Sequence, residues 1–243
     1  MSAADPGLRA AAVLFDKDGT LFDFAATWEV WATSFLLRAT RGDRAHAGRV
    51  GQRIGFDLDA GKFHPGSIAI AGTSGEVADA LAPEFPALAR AALIEMLNEE
   101  AVAAPQVEAV PLRPLLGGLR GAGLKLGVAT NDFEAPARAH LGAAGILDLF
   151  DFIAGCDSGH GGKPEPGQML GFAAAVGIAP ERIVMVGDSA HDLVAGRRAG
   201  MQTVAVLTGL AGHGDLAPLA DAVLPDIGHL EGWLRGAPVG PRA

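Results

Sequence analysis

Cysteine is all but missing from this 243-residue chain: Cys156 stands alone, so no disulfide can form within it. A lone thiol fits a reducing cytoplasm. Lysine is nearly as scarce, with only Lys17, Lys62, Lys125 and Lys163 in a chain of net charge −9. Without a basic stripe to neutralise phosphates, nucleic acid is an unsuitable partner. No apolar run approaches the roughly 20 residues of a membrane span. The short apolar stretch after Arg9 breaks at Asp16, which does not suit a signal peptide. The expected setting is the cytoplasm, away from membranes. An anionic small molecule stays open as a partner, provided a metal or a local positive group offsets the chain's own field.

What is present is a large apolar fraction, 49% of residues, and one abrupt junction at residues 11–20, AAVLFDKDGT. Residues 11–15 are too few for a helix and unbroken enough for a strand covered on both faces. Asp16 then falls at the carboxyl end of that strand, where open α/β sheets carry their ligands. Asp16 and Asp18 are two apart, so an extended chain turns both carboxylates to one side. Such a pair is costly unless a cation or a proton accompanies it.

Two regimes follow along the chain. From 24 to 106 the pattern is helical: apolar residues at helical spacing over 23–41, a second helix over 43–54, and a Gly-, Asp- and Pro-rich loop over 56–67. Thr73 and Glu76 then make a capping box, and an alanine-rich helix spans 86–104 before Pro105. No strand is expected in this block. Beyond it, strands at 124–130, 150–154, 182–186, 202–207 and 222–224 alternate with helices at 111–122, 134–144, 168–176 and 190–199. That alternation predicts an α/β fold with a doubly wound parallel sheet, interrupted after its first strand by a smaller all-helical domain. The expected division is 1–23 with 107–243 as the Rossmann-like core and 24–106 as the insertion, with 236–243 a loose tail.

Four strand ends or loops carry polar groups of complementary type: Asp16 with Asp18, Thr130 with Asn131, Lys163 in a glycine-rich loop, and Asp188 with Asp192. In a parallel sheet these ends share one edge and can converge. The combination suits phosphoryl transfer, in which a carboxylate attacks phosphorus and a second one handles protons. A lysine, hydroxyl and amide donors, and Mg²⁺ on oxygen ligands would balance the charge on the transferring group. The bland alternatives are a turn pair at Asp16 and Asp18, a helix cap at Thr130 and acids at a helix start for Asp188 and Asp192.

On these motifs the chain resembles the haloacid dehalogenase superfamily, in the branch with a helical cap after the first strand, and is similar to phosphoglycolate phosphatase-like hydrolases. The likeness runs from about 11 to about 227 and rests on D-x-D-G-T at 16–20, Thr130, Lys163 and G-D-x-x-x-D at 187–192. It implies a Mg²⁺-dependent phosphatase acting on a small phosphorylated metabolite such as phosphoglycolate. Asp16 would be nucleophile and metal ligand, and Asp18 the general acid/base with its carbonyl on the metal. Thr130 and Asn131 would bind phosphoryl oxygens, Lys163 would neutralise them and orient Asp16, and Asp188 and Asp192 would complete the metal site. A phosphomutase shares these groups. A dehalogenase has no use for Asp18, and a receiver-like signalling domain is about half as long and has no cap. In the cap, Lys62 and His64 are the polar groups best placed to meet a substrate, with a solvated loop as the plainer reading. Trp28 and Trp31 read as cap core, His191 as an entrance residue, and Cys156 as a small buried group.

Overall fold

The computed structural model describes residues 7–64 and 66–237. The first strand, β1 (Ala12–Phe15), is followed by α1 (Phe24–Ala39), α2 (Arg44–Arg53), a two-residue pair β2 (Phe56–Asp57) and β3 (Lys62–Phe63), α3 (Ile68–Ala71), α4 (Ser74–Leu81) and α5 (Arg90–Ala103). Then come α6 (Leu112–Gly121), β4 (Lys125–Ala129), α7 (Glu134–Ala143), β5 (Phe152–Ala154), α8 (Gly167–Val176), β6 (Ile183–Gly187), α9 (Ala190–Arg198), β7 (Gln202–Val206), α10 (His213–Leu216), β8 (Ala222–Leu224) and α11 (Leu230–Leu234). No helix among the described residues is long and apolar enough to cross a membrane.

Six strands form one parallel sheet in the order β5-β4-β1-β6-β7-β8. The chain winds outward on one side of β1 and then outward on the other, so β1 is the topological switch point. Ligands of open α/β sheets bind at the carboxyl ends of the strands there. β1 alternates as a strand covered on both faces must. Val13 and Phe15 pack with Leu116, Leu126, Val128 and Trp233, while Ala12 and Leu14 pack with Met169, Phe172 and Met185 on the other face. All four β1 side chains are fully buried.

The helical block has a core of its own, drawn from residues between Trp31 and Ala104. Trp31 stacks on Phe35 with ring centroids 5.8 Å apart and its indole N–H donates to the Leu97 carbonyl at 3.1 Å, joining α1 to α5. The expected capping box is formed, with Thr73 and Glu76 exchanging hydrogen bonds at the start of α4.

Several expectations need correction. The block is not free of strands: Phe56 pairs with Phe63 and Asp57 with Lys62 in a small antiparallel hairpin, where the two rings pack 4.8 Å apart. Its loop-like composition hides a pair too short to show any alternation. The helix expected over 86–104 starts only at Arg90, after a 3₁₀ turn at Ala82–Glu84 that Pro83 favours. The short α10 and α11 carried no periodic signal. Of the tail expected over 236–243, residues 238–243 lie outside the described residues.

Because Leu14 is fully enclosed between the sheet and α8, Leu14→Ala should cost about 2–5 kcal/mol through cavity formation. Urea denaturation measures this, and a loss below about 1 kcal/mol would contradict the packing.

Candidate active site

Asp16 is the first residue after β1, and its backbone N–H still donates to Val186 of β6 at 2.8 Å. Thr130 follows β4 and Asp188 follows β6, each carried by the parallel register to the same edge. Lys163 arrives from the loop between β5 and α8. Its ammonium donates to Asp16 Oδ1 at 2.6 Å, Asp192 Oδ1 at 2.6 Å and the Ala129 carbonyl at 3.0 Å. Asn131 grips that lysine by its backbone, accepting from Lys163 N at 2.8 Å and donating to its carbonyl at 2.9 Å. Gln168 ties the Thr130 carbonyl to that of Gly161. Residues far apart in sequence thus meet through hydrogen bonds that leave the lysine little freedom.

Asp16, Asp188 and Asp192 bring carboxylate oxygens within 4.8 Å of one another, and all three residues are buried. Burial, then Asp192, pushes Asp16 up to about 7 against the pull of Lys163. Burial, then Asp16 and Asp192, raises Asp188 well above the carboxylate range. Lys163 is raised as well: burial disfavours its charge, but Asp16 and Asp192 overcome that and hold it above its ordinary value. One ammonium does not neutralise three carboxylates. A hard cation with oxygen ligands fits what is left, since it would keep Asp16 and Asp188 ionised together. Two glycines make the room. Gly19, at φ +78°, and Gly209 lie so close against the Asp188 carboxylate that a methyl group on either would overlap it. Asp192 differs from the other two. Its Oδ1 meets Lys163, while Oδ2 accepts from Ser189 N at 3.0 Å and Ser189 Oγ at 2.7 Å.

Asp18 stands apart from this cluster with its side chain 13% exposed, paired to Lys17 at 2.8 Å. Lys17 is completely buried, 3.4 Å from Asp132, 3.0 Å from His140 Nδ1 and over the Trp28 ring at 5.4 Å. Burial opposes its charge, yet Asp18 and Asp132 keep it raised. Asp132 itself is pushed up to about 6 by burial, which outweighs Lys17. His140 Nε2 lies 2.7 Å from the Ala101 carbonyl of α5, so it donates there and leaves Nδ1 to accept from Lys17. A line of polar contacts therefore runs from Asp18 through Lys17 and His140 into the helical block.

Sheet edge and helical block enclose a cleft bordered by Asp16, Asp18, Thr130, Asn131, Lys163 and Asp188 on one side and by residues of α1, α3, α4 and α5 on the other. Six of the seven expected residues border it, and Asp192 sits directly behind. Lys62 and His64 are not on its lining: Lys62 instead pairs with Glu29 at 2.7 Å and is 65% exposed. Trp28 and Trp31 belong to the core of the block and also line the cleft, and His191 borders it beside Ser189. Cys156 is half-buried, its thiol pushed up to about 12 by burial. Lys17, Asp132 and His140 escaped the sequence reading. The first two adjoin motif residues, and Lys17, flanked by two acids, was the available signal; His140 offered none, because only folding turns α7 toward α5.

The profile of the haloacid dehalogenase-like hydrolase family matches residues 10–200. A phosphoglycolate phosphatase of Xylella fastidiosa is 31% identical over 204 residues, covering 84% of this chain and 82% of that one. Another, from Rhodospirillum rubrum, is 34% identical over 120 residues, and there the match spans only about half of either chain, 49% and 50%. Among solved structures, a predicted phosphoglycolate phosphatase from Haemophilus somnus superposes with a TM-score of 0.69 at 21% identity, over 93% of this chain and 98% of that one. At that identity the superposition speaks to fold.

Burial, then the Lys17 charge, lowers His140 to about 4 from its ordinary 6.5. Its folded value is below its unfolded value, so between pH 6.5 and 4 the unfolded chain binds the extra proton and this residue's contribution to stability falls as pH falls. His140 should remain neutral, with its proton on Nε2, down to about pH 5 in ¹⁵N NMR; titration near 6.5 would contradict the buried geometry.

Proposed function

Since the chain belongs to the haloacid dehalogenase-like hydrolase family, we propose that it is a Mg²⁺-dependent phosphatase for a small phosphomonoester, working through an aspartyl-phosphate on Asp16. The observation that carries this reading is the convergence of Lys163 on Asp16 and Asp192, with Asp188 close by and Asp18, held by Lys17, at the edge of the same cleft. The relatives named phosphoglycolate phosphatase support the phosphomonoester class.

In the first step an Asp16 carboxylate oxygen attacks phosphorus, the ester P–O bond breaks, and the leaving oxygen takes a proton from Asp18. In the second step water attacks the phosphoryl group, gives its proton to Asp18 and frees phosphate, which restores Asp16. Lys163 keeps the attacking oxygen oriented and offsets the phosphoryl charge, aided by the Thr130 hydroxyl and the backbone at Asn131. Asp16, Asp188 and the Asp18 carbonyl would hold the ion, whose charge would offset that on the transferring group. Asp192, with both oxygens already engaged, serves best by anchoring Lys163 behind the ion. Residues 24–106 act as the cap that keeps bulk water from the phosphoenzyme. Two acids with separate duties favour this over a halide-displacing mechanism, which would leave Asp18 idle. The reading is that of a cytoplasmic enzyme.

Asp16→Asn should abolish phosphate release while leaving the circular dichroism spectrum and thermal midpoint near wild type; measurable turnover by that variant would sink the nucleophile. Asp18→Asn should lower kcat by about 10²–10⁴-fold, with burst kinetics recording loss in both half-reactions. A change confined to KM would contradict its proton-transfer role. Activity should vanish with EDTA and return with Mg²⁺, and metal-independent turnover would revive the halide reading.

A further inference from the structure

The two walls of the cleft differ in chemistry. Every charged residue on its lining belongs to the sheet edge: Asp16, Asp18, Asp132 and Asp188, with Lys163 the one fixed cation. The wall contributed by the helical block is apolar over nearly its whole extent, with Phe24, Trp28 and Trp31 from α1, Ile70 from α3, Val77 from α4 and Leu97 from α5. Ser74 and the indole N–H of Trp28, buried without a hydrogen-bond partner among the described residues, are its polar exceptions. No lysine or arginine of that block borders the cleft among the described residues. Lys62 is engaged with Glu29 on the outside, and Arg90 with Asp79 and the Gly75 carbonyl. Lys17 lies behind Asp18 and Asp132 and serves them, and Lys163 is saturated by Asp16, Asp192 and Ala129. His191 stands on the sheet side, in the first turn of α9.

From this we infer that the alcohol released by the enzyme is uncharged and apolar, of the alkyl or benzyl type, and that an ester bearing a carboxylate, such as phosphoglycolate, is a poor substrate. The inference rests on the phosphatase reading and narrows it. A carboxylate beside Phe24, Trp28, Trp31 and Leu97 would give up its water and find no free cation, since Lys17 over the Trp28 ring is already held by Asp18 and Asp132, and that transfer is strongly unfavourable. It would also face Asp132 and Asp18 across the cleft. An apolar group there loses only ordered water and gains ring contacts, because aromatic walls favour flat or branched hydrocarbon. The phosphoryl half needs no such complement, since Lys163 and the ion already supply its charge balance.

The test ranks four esters of comparable leaving alcohols by kcat/KM for phosphate release from the full-length protein with Mg²⁺: phosphoglycolate, ethyl phosphate, n-butyl phosphate and benzyl phosphate. The expected order rises from ethyl to butyl to benzyl by about 10²-fold in all, with phosphoglycolate no better than ethyl phosphate. Phosphoglycolate level with or above benzyl phosphate would overturn the inference while leaving the phosphatase reading intact. Ile70→Lys, at a partly exposed position of the apolar wall, should raise phosphoglycolate turnover about tenfold and depress that of benzyl phosphate; an unchanged ratio would count against the wall as the selector. Release from none of the four would overturn the phosphatase reading alone. Binding then decides: benzylphosphonate should alter the fluorescence of Trp28 and Trp31 at concentrations at least tenfold below those needed of phosphonoacetate, and the reverse order would refute the apolar wall.

Discussion

Three buried carboxylates and one ammonium share the carboxyl edge of the sheet, and most of the local structure follows from keeping that charge together. Lys163 must reach Asp16 and Asp192 at once, at 2.6 Å each. That demand explains why Asn131 grips its backbone from both sides and why Gln168 pins the neighbouring loop. Asp192 is held in turn by Ser189, in the capping box that begins α9. Low dielectric makes each of these contacts strong and each omission costly. Glycine at 19 and 209 is a consequence of the same constraint, because Asp188 occupies the space a side chain would need.

A second charged cluster divides the labour. Lys17 is as buried as any leucine in the chain, and it satisfies two acids and one histidine. Its partners come from three places: Asp18 from the turn after β1, Asp132 from the turn after β4, and His140 from α7. The histidine passes the contact on to the Ala101 carbonyl of α5. Asp18 is thereby linked to the position of the helical block, whereas Asp16 is linked to Lys163 and the sheet. Asp16 and Asp18 are anchored separately, which suits the proposed mechanism, in which the site admits an ester and then excludes water.

The two walls of the cleft complete the logic. Charge is concentrated on the sheet edge and hydrocarbon on the helical block, the two halves that the proposed reaction assigns to phosphorus and to the leaving group. A helical block packed around Trp31, Phe35 and Leu97 presents residues of its own core, Trp31 and Leu97, to the cleft, so the stability of the block and the proposed selection of the leaving group draw on the same residues.

Much of this was legible in the linear chain. Residues 11–15 read as a buried strand because the apolar run is too short for a helix and ends abruptly at an acid, and strand-helix alternation beyond residue 124 implied a parallel sheet. Asp16, Asp18, Thr130, Lys163 and Asp188 stood out because strand ends in such a sheet share an edge. The hairpin at Phe56–Asp57 and Lys62–Phe63 did not, since two residues per strand cannot display a period. What only the tertiary structure decided was who touches whom. Lys62, weighed as a substrate contact with a solvated loop as the plainer reading, turns outward to Glu29, while Lys17, which the sequence did not single out, is the centre of a buried cluster. Spacing along the chain fixes which face of one element a residue takes; which foreign element covers that face depends on packing summed over the whole molecule.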